Sequence, residues 1–131
     1  MGVGQVLSLE PDALNSVGCV FLSAIVGPLG LSGEPRPIAA LLITPDLLMS
    51  GVWPVKASAP VLLPREEWPY EPYRASHWVG VKVTGSGIVR ALLAAYHRLT
   101  PWDDWQDPNY LDSLLLAGVR RPDGVLLSRS A

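Results

Sequence analysis

Cysteine is almost missing from this chain. Cys19 stands alone among 131 residues, so no internal disulfide can form, and its setting in "GCVFL" suits a small buried hydrophobe rather than a nucleophile. A reducing, cytoplasmic compartment is the natural expectation. Charge is also scarce: charged residues make up 17% of the sequence, against about 25% in an ordinary soluble domain. The net charge is −2, which supplies no field for a phosphate backbone. Arg120, Arg121 and Arg129 form at most a small patch, so nucleic acid is not an expected ligand. Long hydrophobic runs are absent as well. The longest, "VGCVFLSAIVG", falls well short of the ~20 residues of a membrane span, is interrupted by Gly and Ser, and lacks the basic flank of a signal peptide. A soluble protein with no membrane association is expected. No G-x-S-x-G, P-loop or C-x-x-C motif occurs, and the glycines of "GVGQV" are too few to cradle a phosphate. Neither a catalytic residue nor a cofactor is therefore assigned.

What the chain does have is apolar bulk and punctuation. Apolar residues reach 49%, with 13 prolines and 12 glycines spread along the length. That pattern reads as one domain over residues 1–131, built of short elements and tight turns rather than two domains and a linker. "GQVLSL", "VGCVFLSAIV" from Val17 and "PIAALLIT" ending at Thr44 read as strands, each rich in β-branched or large apolar residues. Residues 28–37 form the loop between the last two. The proline-spaced stretch 60–72 should cross the surface and dock Trp68, with Tyr70 a second anchor. "SHWVGVKVT", residues 76–84, alternates like a strand, and "GVLLS" near the end should close the sheet.

Helices are expected at three places. In "TPDLLMSG", Thr44 can cap, Pro45 suits the first helical position and Gly51 can supply the left-handed stop. So short a helix needs tertiary support. Trp53, just beyond the stop, should supply it by packing this helix and the exit strand "WPVKAS" onto the core, since a tryptophan buries ~150 to 250 Å². "SGIVRALLAAYHRL" is the one conventional helix, with Ser86 as cap, Ile88, Leu92, Ala95 and Leu99 on one face, and Pro101 setting its end. "DPNYLDSLLLAG" should be a second late helix, capped by Asp107 and stopped by Gly118. The expected fold class is α+β: a mainly antiparallel sheet, with a partial barrel as a variant, covered by two C-terminal helices.

Two stretches carry a resemblance. "LLMSGVWPV", residues 47–55, is similar to a D-L-L-x-S-G-x-W-P-V signature, and "LTPWDDWQDPNYLDSLLL" is similar to L-x-P-W-x-x-x-x-D-P-N-Y-x-D-x-L-L. Gly2, Gly4, Gln5 and Val6 match a G-x-G-Q/R-V near the start. In this order the three motifs resemble the bacterial immunity protein family numbered 26, of polymorphic toxin systems. The resemblance implies a mostly β fold and a cytoplasmic protein that binds and neutralises a cognate toxin by occluding its surface, with no catalysis of its own. In that family a strand precedes the G-x-G-Q-V segment, whereas here Met1 falls directly before it. Either the start codon is placed late or an edge strand is missing; a missing edge strand would leave the strand at Gln5–Leu9 unpaired, and a homodimer through that edge is then the expected remedy.

Candidate contact residues cluster in the second motif. Trp102 and Trp105 bracket Asp103 and Asp104, and aromatics beside charge are the composition of binding hot spots. These four are the expected partner-binding residues, although either tryptophan could equally plug the core. Asp103, Asp104, Asp107 and Asp112, with His97 nearby, could also be drawn as a metal or acid–base site, giving a small hydrolase using Asp103 or Asp104 with His97. The structural reading is preferred, because Asp107 sits where a cap belongs and adjacent aspartates diverge on a loop, so no metal is expected. An oligomeric binding module is a further alternative, supported by the apolar composition.

Overall fold

The computed structural model describes residues 2–27, 30–55 and 58–128. Its centre is a sheet built from β1 (Gly2–Glu10), β2 (Ser16–Gly27), β3 (Gly30–Ser32), β4 (Pro37–Ile43) and β5 (Val83–Thr84). The order is β1-β2-β4-β5, with β3 paired to the far end of β2. The β1–β2, β2–β3 and β2–β4 pairings are antiparallel, and only β5 runs parallel to its neighbour. The described sheet is open, so the barrel variant is not formed. A mixed α+β fold around a mostly antiparallel sheet is what the sequence implied.

The middle strands explain the low charge. Every residue of β2 from Ser16 to Leu22 is buried, as expected of a strand covered on both faces, which reads as a continuous apolar run rather than an alternation. Val17, Cys19 and Phe21 of β2 join Ala39 and Ile43 of β4 on one face. Helix α2 (Ser86–Tyr96) covers them with Val89, Leu92 and Ala95, together with Trp102 and Leu111. On the other face, Val20, Leu22, Ala40 and Leu42 meet Leu63, Trp68 and Tyr70. The proline-spaced segment therefore docks both expected aromatics and forms the third layer. It does so with two short 3-10 turns, Arg65–Glu67 and Glu71–Ser76, in place of a regular helix.

Gly18 makes this third layer possible. The Tyr70 hydroxyl approaches so closely that a Cβ on Gly18 would lie 2.1 Å from it, far inside any tolerated contact. The same hydroxyl is within hydrogen-bond distance of Ser8 Oγ, 3.2 Å away, and burial pushes its pKa up to about 12.

Several expected elements take a different form. Helix α1 is only Asp46–Met49, with Pro45 rather than Thr44 at the cap position, while Gly51 is left-handed as anticipated. Thr44 Oγ1 instead donates to Asp46 Oδ1 (2.8 Å) and accepts the Ser86 backbone N–H (3.2 Å). Ser86 is likewise no cap: Gly85 holds that position, and Ser86 Oγ donates to Asp46 Oδ2 (2.8 Å). The two hydroxyls thus fasten α1 to the start of α2. The far end of α2 is a Schellman closure rather than a proline stop. Arg98 adopts φ 65°, its N–H donates to Ala95 O and the Leu99 N–H to Ala94 O (3.1 and 2.8 Å), which satisfies the final carbonyls. The turn throws Leu99 outward, 76% exposed, so it does not extend the buried face.

Residues 76–84 are a strand only at Val83–Thr84. His77 and Trp78 are both left-handed, φ 54° and 66°, and the Trp78 ring lies under the Arg74 guanidinium at 4.8 Å. The cation–π contact stabilises a chain reversal that apolar alternation could not reveal. The second late helix shrinks to a 3-10 turn, Leu111–Leu114. Leu115 is extended and the Leu116 N–H donates to Ile38 O at 2.8 Å, so the backbone is drawn to the sheet instead of continuing a helix. "GVLLS" forms no strand. In the expected exit strand, residues 53–55 and 58 are not β, and positions 56 and 57 lie outside the described residues.

Candidate functional site

The four residues expected to bind a partner divide sharply. Trp102 is completely buried, packing beside Tyr96 (ring centroids 6.5 Å) in the core beneath α2. Asp103 is 7% exposed, and its Oδ1 accepts the Ser128 N–H at 2.6 Å and the Ser128 hydroxyl at 2.9 Å. The Trp102 N–H donates to Leu126 O at 2.8 Å. These two residues therefore fasten the C-terminal tail and offer no surface to a partner. Asp104 is exposed, and Trp105 is half-buried with its ring against Tyr110 at 4.9 Å. Asp107 caps a turn, its Oδ1 accepting the Asn109 N–H at 2.9 Å.

His97 belongs to the same neighbourhood. Burial holds its imidazole below the usual histidine pKa, so it is neutral near pH 7. Its Nε2, like the indole Nε1 of Trp102, is buried and has no hydrogen-bond partner among the described residues. Among the described residues, no three His, Cys, Asp or Glu side chains come together as a metal site. Cys19 is buried, and desolvation pushes its thiol up to about 12, which leaves it a packing residue at neutral pH.

Residues 47–55 and 58–62 present a different surface. Trp53 packs into the core edge-on to Phe21, with centroids 6.4 Å apart, and its N–H donates to Leu47 O at 3.0 Å. It packs against the core beside α1 as expected, but the ring is half-buried rather than enclosed and the described residues that follow it form no exit strand. Around this anchor, Met49 is 79% and Val55 75% exposed, and Val52, Val61 and Leu62 also face solvent. Gln5 of β1 locks the far end of the segment. Its side-chain amide donates to Ala59 O and Pro60 O (3.2 and 2.9 Å), and its Oε1 accepts the Leu62 N–H (3.0 Å). Residues 59–62 therefore lie against β1, where Val6 and Leu9 are exposed as well.

The sequence does not show this surface, because the packing expected of Trp53 accounts for the helix and says nothing of the apolar side chains around it. The readable signal was Pro54 and Pro60, which break the chain too often for its valines to alternate into a strand. The described residues include no helix long and apolar enough to cross a membrane. No protein-family model, curated protein or solved structure matches the chain.

Proposed function

We propose that this protein is a non-catalytic binding protein of the immunity type, which occupies the surface of a toxin in the cytoplasm and so blocks it. The family reading rests on the three motifs described above. The observation that carries the binding reading is the division of labour within the first signature: Trp53 turns inward while Met49, Val52 and Val55 turn outward. Exposed apolar side chains held on an anchored segment favour association, because burying them against a partner releases ordered water without reorganising the fold. Clustered exposure of this kind on a monomer's surface commonly marks a protein interface. A blocking interface of this type needs ~1,600 Å² in total, with a few apolar anchors surrounded by polar contacts. Asp104 and the free edge of Trp105 are retained as a secondary contact, whereas Trp102 and Asp103 act through the fold.

The experiment is complex formation with the product of a toxin gene adjacent to this one, followed by hydrogen-exchange mapping. Protection concentrated in 47–62 and β1 supports the reading. A stable complex that leaves those segments unprotected would place the interface elsewhere, and failure of every neighbouring toxin to bind would remove the immunity assignment.

A further inference from the structure

The C-terminal end of α2, the start of β4 and residues 118–120 line a shallow cleft of about 490 Å³ that includes Tyr96 and Ile38. It adjoins, at Ser23 and Tyr96, a second hollow of about 320 Å³ that runs past His97 to Arg98. Three of the chain's ten basic residues line the adjoining pair, Arg36 and Arg120 the first and Arg98 the second. Among the described residues, the one carboxylate lining the pair is Glu34. In a chain of net charge −2, this is a local inversion of sign. We propose that the cleft binds an acidic peptide segment of a protein partner, with side-chain carboxylates seated on Arg36, Arg98 and Arg120.

Each arginine is available in a different way. Arg36 pairs with Glu34 at 3.3 Å, but both side chains are about three-quarters in water (74% and 73%). Such a pair contributes little and can be exchanged for a better one. Arg98 donates one N–H to Asp123 O at 3.0 Å, which fixes the guanidinium while leaving further donors of its planar fork free. Arg120 takes part in no ion pair among the described residues. The Tyr96 hydroxyl stays protonated, since burial raises its pKa, and can donate to the same ligand. Guanidinium forks match carboxylates in two-point geometry, and a cleft of several hundred Å³ accommodates a few residues. A nucleic-acid backbone is a poorer match. It calls for a basic stripe along a groove, and the negative net charge would repel a long polyanion.

The site shares no residue with the 47–62 surface, and its test needs no toxin, so it stands or falls separately from the immunity reading. A capped oligoglutamate peptide is titrated into the purified protein and followed by amide chemical shifts. Saturable shifts are expected at Ser23, Arg36, Tyr96 and Arg120. The triple variant Arg36→Gln, Arg98→Gln, Arg120→Gln should weaken binding by about tenfold or more while melting near the parent, given the strength of charge-assisted pairs. Glu34→Gln should strengthen it, by about twofold, by freeing Arg36. If the triple variant is unstable, Arg120→Gln alone carries the test, because no other described group depends on it. Absence of saturable binding, equal binding by the arginine variants, or equally tight binding of oligothymidylate at the same residues would each overturn the proposal.

Discussion

Individual residues in this fold are used for attachment more than for chemistry. Trp102 shows it most plainly: with no exposed surface, it fills the space between α2 and the C-terminal tail. Trp102→Ala should therefore cost about 3 to 5 kcal/mol, the usual range for a buried aromatic. Trp105→Ala, at a half-buried position, should cost about 1 to 2 kcal/mol. Urea denaturation of the two variants checks the order, and equal midpoints would mean that the first tryptophan is not core. From sequence alone the pair could not be separated. Both are apolar, both flank aspartates, and only the assembled fold, in which the Trp102 ring packs into the core and its backbone N–H bonds Leu126 O, distinguishes the one that faces inward.

At the scale of elements, the third layer is held to the sheet by an ion-pair cluster. Glu10 ends β1 with its side chain 4% exposed, and its Oε1 accepts from Arg74 Nη1 at 2.9 Å. Arg74 also reaches Glu71, which in turn accepts from Arg65 Nε at 3.0 Å. Arg74→Met should cost about 2 to 3 kcal/mol, below the range for a fully enclosed pair because the guanidinium remains partly in water. Adding Glu10→Leu should recover most of the loss, since no unpaired carboxylate is then left buried. The cluster also sets an acid limit. Hydrogen bonding from Arg74 holds the Glu71 carboxyl below its ordinary value of 4.5. A lowered carboxyl pKa contributes stability that is complete above the unfolded value and is lost as pH falls through the folded one. His97 acts in the same direction at higher pH. Burial lowers its pKa from 6.5, so stability begins to fall once the unfolded histidine protonates below that value. Melting temperature should thus decline in two stages on acidification, and Arg74→Met should blunt the lower one. A profile flat from neutrality to about pH 5 would contradict the histidine contribution, and a fall below pH 4.5 that is the same in Arg74→Met as in the parent would contradict that of Glu71.

The same elements show where sequence is informative. Strands β2 and β4 were legible because burial on both faces demands uninterrupted apolar runs, β1 because its large apolar residues form a short run ended by Glu10 and Pro11, and α2 because its apolar residues recur at helical spacing. Residues 76–82 and the last helix were not. Their conformations depend on the cation–π contact of Arg74 with Trp78 and on the Leu116 bond to Ile38, and neither leaves a periodic trace. The arginine-lined clefts were equally hidden, because Arg36, Arg98 and Arg120 come to adjoining hollows only after β4, α2 and residues 118–120 are assembled.

For the whole molecule, the open question is what covers the exposed apolar surface. β1 is the outer strand of the described sheet, which is the edge through which a homodimer was expected. Its register with β2 shifts between Gly2 and Gly4 and again between Val6 and Ser8, and Gln5 holds residues 59–62 beside it. Irregularities of this kind blunt an edge against pairing. We therefore expect sedimentation at micromolar concentration to give a monomer, while a dimer would show that the edge is open after all. A monomer leaves Met49, Val52 and Val55 for a different protein. The most direct measurement is protection of cells expressing the neighbouring toxin by a Met49→Asp, Val55→Asp double variant. Both positions are exposed, so the variant should melt within a few degrees of the parent. It should nevertheless lose protection, because two carboxylates would be buried unpaired in the complex. A folded double variant that protects as well as the parent would contradict the proposal that this surface is where the toxin binds.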